Sequence, residues 1–117
     1  MNINVRSIDP LRDLSQQSIQ AIEEESQIIN FPIGFPILRE NVIPNEVLII
    51  LSGEARLLIN DTGNKSSITL LGKNTFIGLA SMLRAEGCEN ISASTALTAL
   101  AIPERVILSM YDQDINF

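Results

Sequence analysis

The sequence predicts a mainly β domain, an antiparallel β-barrel or jelly roll flanked by N- and C-terminal helices. Three observations predict it. Short apolar and β-branched runs recur along the middle of the chain, each broken by Gly, Pro, Asn or Asp, which is the rhythm of a barrel or sandwich. The run 47–51 (VLIIL) is apolar without alternation, as expected for a strand covered on both faces or forming a barrel wall. The longer helical signals lie before residue 26 and after Pro103.

The elements follow in order. Asp9 is expected to cap a first turn with Pro10 at its first helical position. Ser15 is expected to cap a second helix running to about residue 24, with Ile19 and Ile22 three apart on one face. The triplet Glu23-Glu24-Glu25 reads as a solvated helix end, because nothing complementary to a catalytic carboxylate pair lies near it in sequence. Strands are expected at 27–31 and 35–38, separated by Pro32 and Gly34, and a loop at 41–46 holds Pro44 and Asn45. The strand 47–51 turns at Ser52-Gly53 into a strand over 54–60. Residues 61–64 (DTGN) are a hairpin signal leading into a strand over 65–71. A polar loop over 84–89 precedes strands over 90–96 and 97–102, and Pro103 opens a helix from 104 to about 111. The expected organisation is a helical segment over 1–25, a barrel over 26–103 and the beginning of a C-terminal helix over 104–117. This single domain is expected to be cut from a longer protein.

Composition narrows the function. The 117 residues carry 8 Lys and Arg against 14 Asp and Glu, a net charge of −6, and no basic run. Unaided binding to nucleic acid or to an anionic membrane is therefore not expected. There is no His, which removes the usual general base and most zinc sites, and an enzyme is not expected. The lone Cys88 allows no intrachain disulfide, which fits a reducing compartment. Residues 1–13 lack the apolar core of a signal peptide, and no apolar run reaches the roughly 18 residues of a membrane span. A cytoplasmic domain without membrane insertion is expected.

The most informative segment is 70–83 (LLGKNTFIGLASML): a strand, a tight turn, Gly78 and a short helix with an apolar face. A Gly before a helix lets a ligand approach the backbone, and the free N–H groups there suit an anion. The segment resembles the phosphate-binding cassette of cyclic-nucleotide-binding domains, spanning 72–90. The resemblance extends over nearly the whole chain: Gly34 at an early strand turn, 48–53 (LIILSG), the strand 54–59 (EARLLI), Gly72 and Gly78 in the cassette, and 93–103 (ASTALTALAIP) before the last helix. Asn74 replaces the middle cassette Gly, and Asn is the usual substitute where a positive φ is needed.

The resemblance implies two ligand-holding side chains, a Glu for the ribose hydroxyl and an Arg for the cyclic phosphate. Leu79 stands at the Glu position. The Arg position falls at Gly87, beside Cys88 and Glu89, and the nearest cation is Arg84. The implied pocket is Gly78, Leu79, Ala80, Ser81, Arg84, Gly87, Cys88 and Glu89. Losing one partner of a desolvated charge pair costs about 2–5 kcal/mol. Losing a hydrogen bond to a charged group costs about 1.5–3 kcal/mol more, so a micromolar cAMP or cGMP site becomes millimolar or weaker. Glu86 and Glu89 beside the vacated phosphate position would reject anions or hold an amine or cation. Cys88 reads as a half-buried strand-edge residue, since no His or second Cys supports a nucleophile or metal ligand.

Residues 77–95 (IGLASMLRAEGCENISAST) also resemble the N-terminal cyclic-nucleotide-binding-like domain of bacterial peptidase-containing ABC exporters of toxins or bacteriocins. That resemblance implies a regulatory domain with a degenerate cAMP/cGMP pocket, at the cytoplasmic face of the inner membrane, with the transporter and its ATPase as partners. Two other readings stay open. One is a ligand-free docking module that binds substrate, transporter core or its own copy as a homodimer. The other is a true sensor in which Arg84 and the backbone amides hold cAMP or cGMP.

Overall fold

The structure, a computed structural model, describes residues 4–61, 65–85, 87 and 89–114. Two 3-10 turns, Val5–Ser7 and Asp9–Leu11, precede α1 (Gln16–Glu25). Eight strands follow: β1 (Gln27–Phe31), β2 (Pro36–Leu38), β3 (Glu46–Ser52), β4 (Ala55–Asp61), β5 (Lys65–Leu71), β6 (Phe76–Ile77), β7 (Asn90–Ala93) and β8 (Leu97–Pro103). A short helix α2 (Leu79–Arg84) sits between β6 and β7, and α3 (Glu104–Gln113) follows β8. The strands form two antiparallel sheets of four, in the orders β1-β8-β3-β6 and β2-β7-β4-β5. The expected fold class is thus the observed one.

The unalternating run 47–51 is explained by layering. Val47 and Ile49 point to one side of the first sheet and join Leu100, Ile102 and the helical residues Leu11, Ile22 and Ile107 in one cluster. Leu48 and Ile50 point to the other side and join Ile77, Ile91, Ala93 and Ala99 between the two sheets. The order is helices, first sheet, second sheet, so β3 and β8 are buried on both faces while the second sheet turns one face outward.

Several details depart from expectation. Asp9 is not an N-cap: it lies inside the second 3-10 turn, which Ile8 precedes without a side-chain cap, and its carboxylate pairs with Arg12 at 3.3 Å. A single residue, Ile8, separates the two turns and takes the cap position, so Asp9 is already the first residue of the second turn. The strand pair near the end is shorter at its turn, since Ser94 and Thr95 donate their N–H groups to the Glu54 carbonyl instead of continuing β7. The hairpin expected at 61–64 is present as the β4–β5 pairing, Asp61 opposite Lys65, while residues 62–64 lie outside the described residues. Ser15 caps α1 as expected, accepting from the Ser18 N–H. Among the described residues no helix is long and apolar enough to cross a membrane.

The helices α1 and α3 are tied at both ends. Arg105 at the start of α3 reaches Glu25 at the end of α1 at 2.5 Å, an exposed pair worth no more than about 1 kcal/mol. At the other end the Asp114 carboxylate accepts from the Ser18 hydroxyl at 2.5 Å, the Ser15 N–H at 2.9 Å and the Ser15 hydroxyl at 3.1 Å. The Ser18 hydroxyl, with the largest effect, and the two Ser15 bonds together hold the Asp114 carboxyl below its ordinary value, against an opposing effect of burial that exceeds that of either Ser15 bond alone. A carboxyl that titrates lower folded than unfolded stabilises fully above the unfolded pKa, and that contribution disappears as pH falls through the folded one. Asp114→Ala is therefore expected to lower stability at pH 7 by about 1–2 kcal/mol through lost hydrogen bonds. The gap between the two proteins in urea titrations should close below about pH 4; a gap independent of pH down to 2 overturns the assignment.

Candidate functional site

The segment after β5 is shaped by its backbone. Thr75 donates its N–H to the Gly72 carbonyl at 3.2 Å, closing a turn in which Asn74 stands at φ 71°. The Asn74 N–H in turn donates to the Ile50 carbonyl at 2.8 Å, stitching the turn to β3. Asn tolerates the left-handed region, so the turn survives the loss of the middle Gly as the sequence suggests. Gly78, at φ 89°, is the N-cap of α2 and makes the sharp entry that a side chain would strain. The helix ends at Ala85, φ 53°, a position usually given to Gly.

Seven of the eight candidate residues are described, and they stand in different surroundings. Leu79 turns toward the helical layer and packs against the cluster that holds Met82, Ile49 and Leu100. Ala80 and Arg84 are exposed. Ser81 is fully buried and donates its hydroxyl to the Glu89 carboxylate at 2.9 Å, so the first turn of α2 already holds an anion of the chain itself. Cys88 and Glu86 lie outside the described residues.

Gly87, the expected Arg position, lies against the β2–β3 loop. A Cβ there would overlap the backbone of Asn41 and Val42, and the Asn41 N–H donates to the Gly87 carbonyl at 3.1 Å. Any side chain at this position must displace the β2–β3 loop. The closeness arises from a contact between segments more than forty residues apart in sequence.

The loop 41–45 is the part of the site that sequence reading passed over as a connection. The Pro44 ring stands 3.3 Å from where a Cβ on Gly78 would sit, over the entry to α2. The Asn45 carbonyl accepts from the Glu104 N–H at 3.0 Å, at the first residue of α3. One short loop therefore touches the start of α2, the segment after it and the start of α3. Its signals in the sequence were Asn41, which adopts φ 71°, and the Pro44-Asn45 pair.

Beside this loop lies a cavity of about 200 Å³ with Phe31, Leu38, Leu48 and Ile77 among its walls, together with Glu46 and Gly78. A second depression of about 230 Å³ lies over the second sheet, bordered by Pro36, Arg56, Leu58, Ile68 and Ser92. Among the described residues no group of three or more His, Cys, Asp or Glu could hold a metal ion.

A two-sheet β-roll with a Gly-capped short helix between β6 and β7, closed by a helix after the last strand, is the arrangement of a cyclic-nucleotide-binding-like domain. A family model for the Cyclic nucleotide-binding domain matches residues 28–114, and the chain belongs to that family. The regulatory subunit of a cAMP-independent protein kinase A from Trypanosoma cruzi, bound to guanosine, superposes with a TM-score of 0.84 at 14% identity, covering 96% of this chain and 41% of that one. The corresponding subunit from Trypanosoma brucei gives 0.83 at 18% identity, over 96% and 42%. The Thermus thermophilus Catabolite Activator Protein gives 0.71 at 22% identity, over 86% and 48%. The chain spans less than half the length of each of these proteins. At such identities the likeness establishes the fold. A comparison with curated proteins finds no significant match.

Two substitutions check this local geometry. Ala85→Gly should relieve a left-handed Ala, worth about 1 kcal/mol, and raise Tm by about 3–6 °C in a thermal melt. Gly87→Ala should instead lose about 1–3 kcal/mol by overpacking against the loop. A Gly87→Ala protein as stable as the parent would show that the loop does not seal this position.

Proposed function

We propose that this domain is a non-catalytic regulatory module of the cyclic-nucleotide-binding fold whose cassette does not accept cAMP or cGMP in the family's charged mode. The observation that carries the reading is the Ser81–Glu89 hydrogen bond. It anchors a carboxylate against the first turn of α2, the element that otherwise receives an anion. A second anion brought within 4 Å of it meets a repulsion of about 1–4 kcal/mol, depending on the local dielectric. Leu79 supplies no carboxylate for a ribose hydroxyl, and Gly87 has no room for a cation.

Regulation in this reading runs through the loop 41–45. Displacement of the segment around Gly78 or Gly87, by a ligand or a partner, moves Pro44 or Asn41, and the Asn45 carbonyl passes that movement to Glu104 and α3. The resemblance of 77–95 to exporter domains supports placing the module on an ATP-driven exporter of toxins or bacteriocins, at the cytoplasmic face of the inner membrane. A second reading, docking to another protein, is supported by Ile68 and Leu70, which lie side by side on the outer face of edge strand β5 and are 58% and 59% exposed.

The decisive experiment is a thermal-shift titration with cAMP and cGMP. A ligand at 100 times its Kd adds about 2.7 kcal/mol of stability. The expected outcome is no saturable shift below about 1 mM nucleotide. A saturable shift that disappears in Arg84→Ala establishes the sensor reading instead and overturns the proposal.

A further inference from the structure

The cavity beside the β2–β3 loop has a feature that packing alone does not require. β3 alternates, with Leu48 and Ile50 pointing between the two sheets, and Glu46 shares their parity. The pairing partners agree: Leu48 lies opposite Ala101, which faces the same interior, and Glu46 lies opposite Pro103, two residues further on. Glu46, the first residue of its strand, is thus inward-facing, half-buried in a wall shared with Leu48, Phe31 and Ile77. The ion pairs among the described residues are Arg12 with Asp9 and Arg105 with Glu25, and neither involves Glu46. No hydrogen bond among the described residues reaches its carboxylate.

A half-buried carboxylate without a partner, at a cavity whose walls are partly apolar and partly polar, favours a cation with an apolar body. The volume sets the size of that body. A dry cavity of about 150 Å³ holds one benzene ring, and this one is about 200 Å³, enough for a ring and a short chain. The net charge of −6 draws cations and repels anions over the whole surface.

We propose that this cavity is a binding site for a small primary amine with an apolar body of one ring or its aliphatic equivalent, the ammonium group pairing with Glu46 and the body lying among Phe31, Leu48 and Ile77. The site shares Ile77 and Gly78 with the cassette, and its charged group is Glu46 on β3.

The test is an NMR titration of the amide signals of Leu48, Ile77 and Gly78 with 2-phenylethylamine, 2-phenylethanol and phenylacetate. The amine is expected to bind saturably, at least about tenfold tighter than phenylacetate, with the alcohol between them. Glu46→Gln should remove the preference for the amine while leaving the alcohol's affinity unchanged, and its dispersed spectrum verifies the fold. Glu46→Lys should reverse the order in favour of phenylacetate. Absence of saturable binding up to about 10 mM overturns the proposal, as does equal binding of amine and carboxylate, or an amine preference that survives in Glu46→Gln.

Discussion

The rest of the molecule depends on one constraint: the first sheet must be covered on both faces. Val47 and Ile49 can be removed from water only by helices, and Leu48 and Ile50 only by a second sheet. A β-strand offers its two faces at a period of two, so an unbroken apolar run cannot be satisfied by a single neighbouring layer. α1 and α3 are thereby integral to the fold, as is the second sheet. The polar ties at Glu25–Arg105 and Asp114–Ser15–Ser18 hold the two helices in antiparallel register over a sheet that already requires them.

Within that frame the cassette is held from outside. Pro44 stands over Gly78, the Asn41–Val42 backbone fills the space beside Gly87, and Asn45 bonds the first amide of α3. A six-residue helix has too few internal hydrogen bonds to keep its own position, so its place is set by these contacts and by Leu79 and Met82 in the helical-side core. The same loop that packs on the entry to α2 also lies against Gly87 and bonds the first amide of α3.

Electrostatics completes the picture. Glu89 sits on Ser81 inside the cassette, Glu46 faces the neighbouring cavity, and the chain as a whole is acidic. A carboxylate is stable near a helix start when a hydroxyl and the helix dipole support it, and once there it excludes a competing anion. The family fold is thus combined with an acidic surface and a cassette carboxylate held by a chain hydroxyl.

The sequence by itself determined the mainly β class with flanking helices, the Ser15 cap and the left-handed turn at Asn74. Each of these follows from residues close together in the chain: an apolar period, a capping hydroxyl, a tolerated positive φ. The family resemblance further implied that Leu79 and Gly87 stand in place of the ligand-holding pair. Only the tertiary structure decided what those departures mean. Leu79 packs into the core, Gly87 is sealed by Asn41 and Val42, Glu89 lies on Ser81, and Asp114 caps α1 from ninety-nine residues away. Asp9 shows the limit from the other side: its sequence context suits a cap, yet the neighbouring turns leave no helix for it to start. Contacts between distant segments depend on how the sheets close, and no local pattern of residues encodes that closure.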